Sequence, residues 1–147
     1  MTLKIAFYKG KKRLADRLIC RWLRGPYSHC ETITHSHDDG THTCWSASLK
    51  DGGVRGKTMA LDPLKWDIVE IPGSAEDARD WFEHRNGKKY DWVGTLGFIW
   101  RPLRGASDRF FCSEAVAASI GVTEPWRFDP NSLAGLVVAM TLNPTTN

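Results

Sequence analysis

The stretch Asp108-Arg-Phe-Phe-Cys-Ser-Glu-Ala-Val-Ala-Ala-Ser-Ile-Gly121 constrains this chain more than any other. It reads as a helix that begins at or beside a cysteine and stops at a glycine. Ser107 or Asp108 can cap its start, Glu114 adds an acid to the first turn, and Gly121 suits the left-handed position after a helix. Val116 and Ile120 lie one turn apart with Phe111 and Ala115 beside them, which gives the helix an apolar face to bury. Cys112 then sits where unpaired backbone N–H groups and the positive end of the helix dipole converge. That setting lowers a thiol pKa and favours the nucleophilic thiolate. A buried cysteine is otherwise a small inert hydrophobe, so the rest of the chain decides between the two.

Ahead of this helix the pattern is mostly strands. Leu3 to Tyr8 alternates and ends at Gly10. Lys11 to Arg24 follows as an amphipathic helix with Leu14, Leu18, Ile19, Trp22 and Leu23 on one face and basic residues on the other, stopped by Gly25-Pro26. Tyr27 to Thr34 and Thr41 to Ser48 flank the turn sequence His37-Asp-Asp-Gly40 and predict a hairpin. Its register sets His29 near Ser48 and Glu31 near Ser46. Val54 to Met59 and Lys65 to Ile71 are two more strands. Ser74 caps a helix running through Trp81 and Phe82 to Asn86-Gly87. Tyr90 to Trp100 reads as a short helix or ordered loop, and Asp129-Pro-Asn-Ser132 caps a last helix over Leu133 to Met140. The expected class is α+β: an antiparallel sheet of four to six strands flanked by helices, in one domain over residues 1–147 with a frayed tail at 142–147.

A net charge of +3 is too small for a nucleic-acid binder, although Lys9-Gly-Lys-Lys-Arg13 is a local basic cluster with no assigned role. The amino terminus lacks a signal peptide's apolar core, and no run of some 18 apolar residues predicts a transmembrane segment. Cys20, Cys30, Cys44 and Cys112 show neither CxxC spacing nor a disulfide framework, so they are expected to be reduced thiols made in the cytoplasm. The seven Trp residues fit either an aromatic core or a sugar-facing cleft.

A nucleophilic Cys112 needs an imidazole to take and return its proton, and a third polar group to orient that imidazole. His29 supplies the imidazole. Because side chains alternate along a strand, Tyr27, His29, Glu31 and Ile33 share a face, which makes Glu31 the nearest orienting group. Ser46, Ser48 or His42 on the partner strand are the alternatives. A separate reading pairs His35 and His37 with His42 and Cys44 across the turn as a tetrahedral zinc site. Polar loop histidines account for the same residues, so no metal and no cofactor is expected.

The motifs Tyr90-Asp-Trp-Val-Gly94 and Phe110-Phe-Cys-Ser-Glu-Ala-Val116, preceded by Pro26-Tyr-Ser-His-Cys-Glu31 and Ser48-Leu-Lys-Asp-Gly-Gly-Val-Arg55, resemble the NlpC/P60 superfamily of papain-like cysteine hydrolases. The order, with the His strand before the Cys helix, is that of its circularly permuted YiiX-like and lecithin:retinol-acyltransferase-like branch, and the details are similar to small phage and prophage members. The likeness spans roughly residues 3 to 135. It implies a permuted papain-like fold, with Cys112 as nucleophile and His29 as general base. Tyr90 and Ser113 would line the oxyanion and substrate site. Relatives often carry the third residue on the next strand, where this chain has Cys44, Ser46 and Ser48 and no carboxylate, so Glu31 takes that role here. The implied substrate is an amide of bacterial cell-wall peptide, and the implied partners are other phage tail or virion proteins. Two other roles fit the same resemblance: a catalytically idle structural or binding domain of a phage particle, and a lipid acyltransferase or thioesterase.

Overall fold

The computed structural model describes residues 2–91 and 109–142. In chain order these form β1 (Thr2–Tyr8), α1 (Leu14–Trp22), β2 (His29–Ser36), β3 (Thr41–Ser48), β4 (Gly53–Ala60), β5 (Trp66–Pro72), α2 (Ala75–Glu83), β6 (Lys89–Tyr90), β7 (Arg109–Phe110), α3 (Cys112–Ser119) and α4 (Pro130–Leu142), with a short 3₁₀ turn at Pro125–Arg127. The architecture is mixed α+β. Seven strands make one sheet in the order β5-β1-β2-β3-β4-β6-β7, more than the four to six expected. The surplus is β6 and β7, two residues each and paired in parallel, Lys89 with Arg109 and Tyr90 with Phe110. Elements that short carry no alternation to read.

The five long strands run antiparallel and close to their expected bounds. β2 starts at His29, two residues later than the pattern suggested, because Tyr27 is tied elsewhere. Its N–H donates to Asn131 Oδ1 at 2.9 Å and its carbonyl accepts from Asn131 Nδ2 at 3.0 Å, so the chain entering β2 is clamped to the first turn of α4. Gly25 is required for that approach, since a Cβ there would lie 2.2 Å from Asn131 Oδ1. The β2–β3 register pairs Thr32 with Trp45 and Ile33 with Cys44. That is the frame of the expected register, but the pairs end at Thr32 and Trp45, short of Glu31 and His29.

Alternation sorts the sheet's two faces. Leu3, Ile5, Phe7, Cys30 and Ile71 point to the side covered by Val116 and Ala117 of α3 and Leu133 and Val137 of α4. Trp45, Ala47 and Val54 continue that layer beneath Phe82 of α2 and Ala115 of α3. Ala6, Ile33 and Cys44 make a thinner cluster on the opposite face with Met59, Leu61 and Trp66. Burial of the first two clusters is the main force holding the helices to the sheet.

The helix termini follow local chemistry. Ser74 Oγ accepts from Asp77 N–H at 3.1 Å and caps α2. Asp129 Oδ1 accepts from Asn131 N–H at 2.8 Å and Ser132 N–H at 3.2 Å, which starts α4 three residues before Leu133. α3 ends before Gly121, whose φ of +77° is the left-handed conformation expected there. Its start differs: residue 111, not 107 or 108, is the N-cap, because Arg109 and Phe110 are committed to β7. The candidate caps Ser107 and Asp108, most of the Tyr90–Trp100 segment and the residues after 142 lie outside the described residues.

Candidate active site

Three side chains singled out by sequence meet. His29 Nε2 lies 2.8 Å from Glu31 Oε1. The Cys112 thiol lies close enough to His29 for the two to shift one another's titration, His29 upward and Cys112 downward. An imidazole therefore stands between a thiol and a carboxylate.

The way Cys112 reaches this position follows from the ladder. β1 pairs with β2 as far as His29, whereas the β2–β3 pairs begin only at Thr32 and Trp45. The β2–β3 pairing thus ends before Glu31 and His29, leaving backbone groups of β2 to be satisfied by other means. Ser46 Oγ donates to the Cys30 carbonyl at 2.7 Å, and the Cys30 N–H is hydrogen-bonded to Cys112. Cys112 is buried beside Cys30 in the layer that α3 covers, close enough to His29 to shift its titration.

Electrostatics favour the charged pair. The Cys112 thiol is held well below its ordinary pKa by a hydrogen bond from the Cys30 thiol and by the hydrogen bond and charge of His29, which together overcome burial. Burial also opposes charge on His29, but its hydrogen bonds to Cys112 and Glu31 raise its pKa to about 10. Both shifts favour the thiolate–imidazolium form of the couple. Cys30 moves the other way, pushed well up by burial and by the neighbouring thiolate. Cys44 is raised to about 12, chiefly by burial. Of these three thiols, Cys112 alone is activated.

Arg55 is the member that sequence reasoning missed. Its guanidinium donates to Glu31 through Nη1 at 2.7 Å and Nη2 at 2.6 Å, and its Nε donates to Asp51 Oδ2 at 2.8 Å. Glu31 is only 1% exposed, and burial alone would raise its carboxyl pKa. The hydrogen bonds from Arg55 and His29 outweigh that and keep it ionised, below the usual carboxylate value. The signal was present in the hairpin registers: the expected β2–β3 register sets Glu31 near Ser46, and Ser46 pairs with Arg55 on β4. The alternative third residues are placed elsewhere. Ser46 bonds backbone, Ser48 Oγ accepts from Asp51 N–H at 3.4 Å, and His42 Nδ1 bonds Ser36 Oγ at 2.9 Å.

At the helix start the first intrahelical bond runs from Ala115 N–H to Phe111 O, which leaves the N–H of Cys112 and Ser113 outside the helix's own ladder and aimed at its N-terminal end. Ser113 is buried and its hydroxyl has no hydrogen-bond partner among the described residues. Glu114 is a second buried acid. Its carboxylate accepts from Phe111 N–H at 3.4 Å, and burial, with Asp91 nearby, lifts its pKa to about 7. A cleft of about 900 Å³ opens on this end of α3. Tyr90, Phe111, Cys112 and Ser113 line it together with Leu18, Ile19 and Trp22 of α1 and Leu23 just after that helix. Cys112 is 7% exposed.

Three of the four residues of the zinc reading, His37, His42 and Cys44, are engaged otherwise. His37 Nε2 bonds Thr43 Oγ1 at 2.8 Å, and Cys44 is buried with its sulfur directed at the His42 carbonyl. Among the described residues no group of three or more His, Cys, Asp or Glu side chains is placed to hold a metal ion, and no helix is long and apolar enough to cross a membrane. No family model, curated protein or solved structure matches the chain.

Proposed function

We propose that this protein is a cysteine hydrolase working through a thioester, with Cys112 as nucleophile, His29 as general base and acid, and Glu31 as the residue that orients His29. The supporting observation is the bridge formed by His29, which bonds a lowered-pKa thiol on one side and a buried, ionised carboxylate on the other. The Cys112 thiolate attacks the substrate carbonyl, and the N–H groups at the start of α3 hold the resulting oxyanion. The His29 imidazolium gives its proton to the leaving amine as the thioester forms. Water, deprotonated by the now neutral His29, then releases the acid and restores the thiolate–imidazolium pair.

The substrate proposed is an amide of bacterial cell-wall peptide, cleaved by a phage or prophage enzyme with a permuted papain-like fold, in line with the NlpC/P60 resemblance. Tyr90 and Ser113 line the cleft, and the resemblance implies for them the lining of the oxyanion and substrate site. The test is release of new amines from purified peptidoglycan by wild type and by Cys112→Ser. The proposal expects release by wild type alone. Equal release by both would remove Cys112 from the chemistry. The apolar α1 side of the cleft favours a second reading, transfer or hydrolysis of a lipid-like ester or thioester. Release of fatty acid from such esters, with peptidoglycan untouched, would support it.

A further inference from the structure

Helix α1 is amphipathic, and its apolar stripe faces outward. At 100° per residue, Leu14, Leu18 and Trp22 fall within one narrow stripe. They are 69%, 58% and 60% exposed. Cys20, the buried residue of the helix, lies on roughly the opposite side. The helix thus rests on the body of the protein by its narrow Cys20 edge, with Cys20 Sγ donating to the Pro26 carbonyl at 3.2 Å. A stripe with this exposure gains nothing from folding and would ordinarily be an aggregation liability.

Charge is concentrated on the same segment. Residues 11–24 hold Lys11, Lys12, Arg13, Arg17, Arg21 and Arg24 against one acid, Asp16, a local charge of +5 in a chain whose total is +3. Arg17 and Arg21 border the leucine stripe on the helical wheel. Phosphates of a nucleic acid would satisfy the cations and leave the leucines in water. A surface that takes apolar side chains and cations together is the interface of an anionic bilayer.

We propose that α1 seats the protein on an anionic phospholipid surface, with Leu14, Leu18 and Trp22 entering the headgroup–acyl boundary and the flanking arginines meeting lipid phosphates. Leu18 and Trp22 are also rim residues of the cleft that holds Cys112, so a seated molecule opens that cleft at the membrane surface. The docking stands on α1 alone and does not depend on Cys112 being catalytic.

The test is cosedimentation of the full-length protein with vesicles of phosphatidylcholine alone and of phosphatidylcholine with phosphatidylglycerol. Binding to the mixed vesicles, weakened by salt and at least about tenfold tighter than to the neutral ones, is expected from apolar insertion assisted by charge. Leu14→Ser with Leu18→Ser should abolish it, and Arg17→Gln with Arg21→Gln should remove the preference for the anionic lipid. Leu142→Ser, an equally exposed leucine at the far end of α4, should leave binding as it was. Circular dichroism and iodoacetamide labelling of Cys112 check that the variants are folded. Absence of binding to the mixed vesicles, or binding indifferent to the leucine pair, would overturn the proposal. So would a concentration-dependent dimer that the leucine substitutions dissolve, which would make the stripe a self-association face.

Discussion

Two helices with similar sequence credentials meet opposite fates in this molecule. Both α1 and α3 carry apolar residues at helical spacing, yet every residue from Cys112 to Ala117 of α3 is buried, while Cys20 is the buried residue of α1. Periodicity reports that a helix has an apolar side. It does not report whether that side meets a core, a cleft or another surface. α3 is held by the sheet, α2 and α4, and its N-terminus is fixed tightly enough to place one sulfur. α1 is held along one edge and lends its apolar residues to the rim of a cleft.

The contrast can be broken by substitution. Phe111→Ala, at the buried N-cap of α3, should cost about 3 to 5 kcal/mol of unfolding free energy in urea titration. Arg55→Met should cost about 3 kcal/mol, because it strands the Glu31 carboxylate in a buried site without its bidentate partner. That variant should also move the acid unfolding transition to higher pH. Glu31 is held below its ordinary pKa, so its contribution is present above pH 4.5 and lost as pH falls through the lower folded value. Without Arg55 that depression shrinks and the loss begins at higher pH.

Glu114→Gln sharpens the comparison in the opposite direction. The carboxyl of Glu114 is raised from 4.5 to about 7, so it favours the fold when protonated and opposes it as pH rises from the first value through the second. Gln keeps an acceptor for the Phe111 N–H and carries no charge. Thermal unfolding at pH 8 should find this variant more stable by about 2 kcal/mol, with the difference gone at pH 4. Trp22→Ala on α1 should change stability by less than about 0.5 kcal/mol despite the size of the side chain removed, because it is exposed.

Much of the sheet was legible because its five long strands alternate and are punctuated by turn residues. β6 and β7 were not, since two-residue strands exist only through pairing between distant segments. Cys112, His29 and Glu31 were readable from residue type, strand alternation and a familiar motif order. Arg55 was hidden because it acts across the face of a third strand, visible only when two hairpin registers are combined. The role of Cys30 was hidden more deeply. Its side chain points away from His29 and Glu31 along β2, into the layer under α3 that also buries Cys112.

The central claim is that His29 keeps Cys112 ionised. It is tested most directly by the pH dependence of iodoacetamide labelling at Cys112, followed by peptide mass spectrometry in wild type and in His29→Ala. An activated thiolate predicts a wild-type rate that is nearly flat from about pH 6 to 9, and at pH 6 about a hundredfold above that of an ordinary thiol. The variant should lose that plateau, with its midpoint displaced upward, since the imidazolium's charge is gone. A wild-type profile that titrates like a free cysteine, or a variant profile superimposable on wild type, would contradict the account.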